Sequence, residues 1–121
     1  MKQKVHSVSY LAKAEFELKN GVHDLVALPS GAEVVKVSLE IASGDSASSG
    51  RVSVGFKDEN TKDYFLTLDV AAIKQQNTSA KDYTATSNKV VVAEVINSNR
   101  DDIKGVLRVL YFLPSLIEVE Y

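Results

Sequence analysis

Few side chains in this sequence are suited to chemistry. The chain holds two histidines, His6 and His23, and no cysteine among its 121 residues. The histidines are not spaced as zinc ligands, and the lack of cysteine removes thiolate ligands, disulfides and cysteine nucleophiles. No serine lies in a nucleophile-elbow motif, and no glycine-rich phosphate loop occurs. The sequence therefore predicts a protein that is not an enzyme, with no catalytic residue, metal ligand or cofactor.

Two acidic pairs, Asp58-Glu59 and Asp101-Asp102, could hold calcium or act as general acid and base. Neither follows the twelve-residue pattern of a calcium-binding loop. Acidic residues in turns usually hydrogen-bond the turn backbone and face solvent. We therefore expect solvated turn residues at both pairs.

The tyrosines could form a stacking platform for a sugar or a base. They are Tyr10, Tyr64, Tyr83, Tyr111 and Tyr121. No cluster of lysine or arginine accompanies them, and the formal net charge is −2, so a nucleic-acid partner is not expected. A sugar platform keeps open the alternative of a carbohydrate-binding module. The competing interpretation is that each tyrosine ring packs at a strand edge with its hydroxyl in water.

The elements that position these residues are predicted to be strands. Valine, isoleucine and threonine supply 27 of the 121 residues, and such branched side chains suit pleated sheets. Apolar and polar residues alternate over residues 33–41 and 51–57, as in half-buried strands. The alternation predicts inward-facing core residues. They are Val35, Val37, Leu39, Ile41, Val52, Val54, Phe56, Leu66, Leu68, Val92, Val109 and Tyr111.

The fold class that follows is all-β. We predict a jelly-roll-like β-sandwich of about eight strands with one short helical connection over residues 69–76, where Val70 and Ile73 face inward. Residues 1–121 are expected to form a single domain, because no linker or repeat divides them. No apolar run is long enough to span a membrane, and the polar first ten residues do not resemble a signal peptide.

Glycine and proline mark the predicted turns and close contacts. Asn20-Gly21 between alternating segments predicts a β-hairpin, and Pro29-Ser30-Gly31 predicts a tight turn with a positive φ at the glycine. Gly55 and Gly105 lie within strand patterns, where a glycine indicates a bulge or a close approach of another segment.

Two regions are candidates for contacts between subunits. Residues 115–121 alternate again after Pro114, which should end the last core strand, and residues 1–19 contain alternating segments of their own. Arg108 stands in an apolar run, where it is either an outward residue on a half-exposed strand or half of an inter-subunit ion pair. The predicted interface residues are Arg108, Leu116, Ile117, Val119 and Tyr121.

The order of these segments resembles small structural proteins of tailed bacteriophages and prophages. The resemblance lies in the turn and alternating strand of residues 26–37 (VALPSGAEVVKV), the glycine-flanked strand 50–55, the connection 68–72 and the strand 105–111. It covers residues 25–114 and carries no chemical motif. It implies a virion component of the head, a decoration protein or a tail-associated protein, assembled in the bacterial host cytoplasm.

The predicted function is therefore a non-enzymatic structural role in a phage or prophage virion. The expected partners are further copies of the chain in a homo-oligomer and other virion proteins, with neither nucleic acid nor membrane. The alternative, a carbohydrate-binding β-sandwich module, would expose coplanar aromatic rings in one concavity.

Overall fold

The described part of the chain is built from strands. A computed structural model describes residues 2–6, 8–42, 49–70, 76–99, 102–113 and 116–120. It contains one short 3₁₀ turn, Glu59–Thr61, and none of its helices is long and apolar enough to cross a membrane. The strands are β1 (Lys2–His6), β2 (Ser9–Glu17), β3 (Gly21–Leu28), β4 (Glu33–Ala42), β5 (Arg51–Phe56), β6 (Leu66–Asp69), β7 (Gln76–Ser79), β8 (Tyr83–Thr84), β9 (Lys89–Ile96), β10 (Lys104–Phe112) and β11 (Leu116–Glu120).

Two antiparallel sheets form the body. One has the order β2-β10-β4-β7, with β8 pairing β4, and the other has the order β3-β9-β5-β6. The pairing is nested: β2 bonds β10, β3 bonds β9, β4 bonds β7 and β5 bonds β6. A ribbon with nested pairing that rolls into two facing sheets is a jelly roll. The predicted fold class is confirmed.

The core lies between the two sheets and follows the alternation of the strands. Among the predicted core residues, Val37, Leu39, Val52 and Val54 are fully buried in one apolar cluster. Tyr111 packs against that cluster with its side chain partly exposed. The cluster also contains Ile41, Phe56, Leu66, Leu68 and Val109, as predicted.

The prediction that Val35 faces the core is wrong. The pairing of β4 with β10 shifts register, so that Lys36 lies opposite Leu110 but Val34 lies opposite Tyr111. Val35 is the extra residue on β4, and a bulge of this kind reverses the faces on either side of it. Val34 is therefore fully buried in the core, whereas Val35 is only half-buried.

Gly55 marks a close approach, as predicted. A Cβ atom built at Gly55 would lie 2.6 Å from the carbonyl carbon of Lys62 and 2.7 Å from the amide nitrogen of Tyr64. Residues 58–64 therefore cross directly over the outer face of the β3-β9-β5-β6 sheet. Val92 lies beside Gly55 on that face and is fully buried, although it is not part of the central cluster. The crossing segment explains its burial.

Gly105 also marks a close approach. It lies opposite Phe16 on the neighbouring strand, and a Cβ atom built there would lie 2.6 Å from the Cζ atom of the Phe16 ring. The ring lies across the glycine, and an aromatic side chain that covers a glycine on the neighbouring strand stabilises the pair.

One predicted turn is confirmed and one is wrong. At residues 29–32, the Ala32 N–H donates to the Pro29 carbonyl over 3.1 Å, and Gly31 has a φ of +88°. Asn20-Gly21, in contrast, does not close a hairpin, because β2 and β3 belong to different sheets. Leu18 is buried just after β2 and leads the chain across the core.

The side chain of Asn20 then fixes this crossing. Its Oδ1 accepts from the Ser98 N–H over 2.8 Å, and its Nδ2 donates to the Ser98 carbonyl over 3.4 Å.

The predicted helical connection over residues 69–76 lies mostly outside the described residues, which exclude 71–75 and hence Ile73. Asp69 ends β6, Gln76 begins β7, and Val70 is fully buried, as predicted.

Candidate assembly surfaces

The outermost element is a two-stranded ribbon of β1 and β11. The strands pair antiparallel, with Leu116 opposite His6, Ile117 opposite Val5 and Val119 opposite Gln3. This ribbon continues the nested order of the jelly roll by one more pair, beyond β2 and β10. The Leu113 N–H donates to the Val8 carbonyl over 2.8 Å where the ribbon joins the body.

Three predicted interface residues, Leu116, Ile117 and Val119, therefore lie on a strand whose partner is β1 of the same chain. Tyr121 lies outside the described residues. Sequence reasoning missed the pairing because residues 2–6 and 116–120 are far apart in the chain. The signal that could have revealed it is the nested order itself, in which the segments flanking the outermost sheet pair are adjacent in space.

Arg108 faces outward on β10. Its Nη1 lies 3.5 Å from Oε2 of Glu40 on the neighbouring β4, and 32% of its side chain is exposed. Arg108 thus occupies an outward position on a half-exposed strand, and its ion pair is with Glu40 of the same chain. Arg108 also lines a small concavity of about 240 Å³ with Leu11, Leu110, Lys36 and Ser38.

The edges of the two sheets differ in length and regularity. β2 is nine residues long and pairs with β10 in continuous register. β3, the edge strand of the other sheet, has a register shift between Asp24 and Val26, and the edge strands β6 and β7 have four residues each. Large apolar side chains are exposed near the start of β2, among them Leu11 at 62% and Tyr10 at 50%.

An open cleft of about 710 Å³ lies between β2 and β3, the edge strands of opposite sheets. Its walls include Phe16 on β2 and Leu25 on β3. An ion pair between Lys57 Nζ and Asp24 Oδ2, 2.8 Å apart, lies on the β3 side.

The two histidines lie on different strands. His6 lies on β1, whereas His23 lies on β3 with its Nε2 2.7 Å from the Lys19 carbonyl oxygen and its ring against Phe16, 5.6 Å between centroids. No group of three histidine, cysteine or acidic residues in the described part of the chain could hold a metal ion.

Asp58, of the first acidic pair, lies in a turn. The Asp58 carboxylate lies 3.2 Å from Lys89 Nζ, and its carbonyl accepts from the Thr61 N–H over 3.1 Å at the start of the crossing segment. Asp101 lies outside the described residues. Asp58 thus lies in a solvent-exposed turn beside β9, as expected for this residue.

Two of the tyrosines belong to an aromatic cluster with Phe56 and Phe65. The ring centroids of Tyr64 and Tyr83 are 5.5 Å apart at an angle of 73°, and each ring also packs on Phe56. Lys81 Nζ lies 3.9 Å above the Tyr64 ring. Tilted rings that cover one another are typical of strand-edge packing and differ from the coplanar platform that a sugar site needs.

No protein-family model matches the chain, and no curated protein matches it. Solved structures do. A chain in the acidic-stable capsid structure of Helicobacter pylori bacteriophage KHP30 is 71% identical, with both chains covered completely and a TM-score of 0.91.

Two more distant phage capsids share the fold. A chain of the cyanophage Pam1 capsid asymmetric unit is 20% identical, with 88% of this chain and 85% of that chain covered and a TM-score of 0.65. A chain of the Ralstonia phage GP4 capsid is 14% identical, with 91% and 87% covered and a TM-score of 0.65. From the 71% identity over its whole length, the chain belongs to the same family of bacteriophage capsid proteins as the KHP30 chain and is a structural component of a virion.

Proposed function

We propose that the protein is a non-enzymatic accessory or decoration protein of the capsid shell. It would associate with further copies of itself and dock on other virion proteins. The observation that carries this proposal is the β1–β11 ribbon, which lies outside both sheets of the jelly roll and pairs with neither.

An isolated two-stranded ribbon is only marginally stable in water, and both its outer edges offer unpaired backbone groups. Pairing or packing with another subunit would satisfy these groups. The formal net charge of −2 gives little electrostatic resistance when subunits meet. Closed symmetric assemblies are the usual outcome of such contacts, and for a shell protein we favour a ring.

The chemical side chains support a non-enzymatic role, because the described ones serve structure. His23 contacts a backbone carbonyl, Asp58 holds a turn and Tyr64 packs in an aromatic cluster. The outer face around Arg108 offers a mixture of charged and apolar side chains to a docking partner.

Light scattering after size-exclusion chromatography tests self-association. At micromolar concentration, the mass should be a multiple of 13.2 kDa. Deleting residues 115–121 should lower the mass while leaving the circular dichroism largely unchanged, since the sheets do not include β11. Deleting residues 1–6 is a second test of the same ribbon. It removes the β1 strand instead of the β11 strand, and it should lower the mass in the same way. A monomer at millimolar concentration would contradict self-association.

Sedimentation with capsids assembled without this protein tests docking. The full chain should sediment with the capsids at a fixed ratio, because a decoration protein occupies defined positions. The 115–121 deletion should bind more weakly, since a monomer loses the gain from several linked contacts. Equal recovery with and without capsids would contradict docking.

A further inference from the structure

The free edge of β2 is the longest regular edge in the described part of the chain. β2 pairs on one side only, with β10, over nine residues, without a bulge or a proline. Proteins usually blunt such an edge or use it to pair with another strand. The edges at β3, β6 and β7 are interrupted or short. Among the four sheet edges, the β2 edge is the one suited to receive a strand.

Charge on β2 is arranged in a self-complementary order. Lys13 and Glu15 are both exposed on the outer face, and neither forms an ion pair with any residue of the described chain. Between them lies Ala14, whose small side chain points toward the core and is half-buried. When two copies of such a strand pair antiparallel about the central residue, the lysine of each copy lies opposite the glutamate of the other.

We propose that two copies of the chain pair antiparallel through their β2 edges, about a two-fold axis at Ala14. In this register, Lys13 of each copy lies opposite Glu15 of the other, which gives two ion pairs, and Ala12 lies opposite Phe16. The sheet β2-β10-β4-β7 would then continue across the axis from one copy into the other. The inference rests on the self-association proposed above and names one contact surface for it.

The alternative symmetric registers are less favourable. In a symmetric pair of β2 strands, the outer face of one copy continues the outer face of the other only if outward residues lie opposite outward residues. The two-fold axis must then lie at a residue, and not between two residues, because side chains alternate between the two faces. An axis at Lys13 sets lysine against lysine. An axis at Glu15 sets Lys13 against Glu17, which already pairs with Lys19 of its own chain, but it also sets glutamate against glutamate at the centre. Axes at Leu11 or Ala12 form no ion pair. Like charges directly opposite destabilise a strand pair, whereas opposite charges stabilise it. Of these axes, the one at Ala14 alone sets opposite charges against each other without also creating a like-charge pair.

There is also room for the second strand. The cleft of about 710 Å³ opens beside the C-terminal half of β2, where Glu15, Phe16 and Glu17 form its wall. The inward residues that the second copy would bring to this side are Ala12 and Ala14. Each of these side chains is a single methyl group, so the second strand would add little volume beside the Phe16 ring.

Charge reversal tests the register. Lys13→Glu or Glu15→Lys alone turns both ion pairs into like-charge pairs and should weaken self-association about tenfold in dissociation constant by analytical ultracentrifugation. The double variant K13E/E15K restores two opposite pairs and should return to the wild-type value. Arg51→Glu, a charge reversal of an exposed residue on β5 in the other sheet, is the control and should have no effect.

Disulfide trapping tests the same contact without relying on charge. The chain has no cysteine, so Lys13→Cys and Glu15→Cys each introduce a single thiol. Under oxidation, a mixture of the two variants should form a mixed disulfide, because residues directly opposite on paired strands are close enough for one. Each variant alone should not, since like positions lie two residues out of register.

The outcomes separate this inference from the proposed function. Weakening by each single reversal, rescue by K13E/E15K and a mixed disulfide support the β2 contact. Unchanged self-association in all variants without a mixed disulfide overturns the β2 contact and leaves self-association standing. A general loss that includes R51E and is not rescued also overturns it. A monomeric wild-type protein without a mixed disulfide overturns both.

Discussion

Replacing Gly55 by alanine tests how residues 58–64 cover the outer face of the sheet. The added methyl group would lie 2.6 Å from Lys62 C and 2.7 Å from Tyr64 N, and it would overlap the Thr61 carbonyl oxygen. All three are backbone atoms, which cannot rotate away as the tip of a side chain can. The segment must therefore lift from the strand.

The cost can be estimated from what the segment covers. Forcing a methyl group into a filled site costs about 1–3 kcal/mol. Val92 is fully buried beside Gly55, and exposing a buried valine costs about 1.5–3 kcal/mol. Partial lifting incurs part of each cost, so we expect Gly55→Ala to lower the free energy of unfolding by about 3 kcal/mol. That is a large share of the roughly 5–15 kcal/mol that stabilises a typical domain.

Urea unfolding followed by circular dichroism measures this change. Gly105→Ala is an informative comparison, because its methyl group would meet ring atoms of Phe16, which can turn aside. We expect a smaller loss there, about 1–2 kcal/mol. Ser53→Ala, on the same outward face of β5, is the control and should change stability by less than about 0.5 kcal/mol. A Gly55→Ala variant as stable as the Ser53→Ala variant would refute the close crossing of residues 58–64.

Three further predictions concern the core and the histidines. Leu39→Ala should lower the free energy of unfolding by about 2–5 kcal/mol in the same urea experiment, because Leu39 is fully buried; a loss below about 0.5 kcal/mol would place it on the wrong face. Val34→Ala should cost about 2 kcal/mol and Val35→Ala less than half of that, since the bulge turns Val34 inward; the reverse order would contradict the bulge. The double variant His6→Ala, His23→Ala should sediment with capsids as well as the wild type, and stoichiometric metal bound by both histidines in the purified protein would contradict a structural role.

Much of the fold follows from local signals. The period-two alternation around Val37 and Leu39 identifies a strand and its buried face, because successive side chains in a strand point to opposite sides. Pro29 and Gly31 predict their turn, because proline fixes its φ near the value that the turn needs and glycine tolerates the positive φ that the turn requires. The glycines at 55 and 105 indicate close approaches for the same local reason, although not which segment approaches.

The candidate site was predictable only in part. The alternation of residues 116–120 indicates a strand but not its partner, and the pairing with β1 joins residues from opposite ends of the sequence. The charges of Lys13 and Glu15 are visible in the sequence, yet their significance depends on β2 being an edge strand. That position results from the pairing order of the whole sheet.

The sequence by itself determined where strands form and which faces most of them bury, since both depend on the size, branching and polarity of neighbouring residues. Tertiary structure decided the rest. The bulge at Val35 arises from register against β10, and the crossing at Asn20-Gly21 arises because Leu18 is buried between the sheets. Strand pairing, register and free edges depend on contacts between residues distant in the chain, and local patterns cannot encode those contacts.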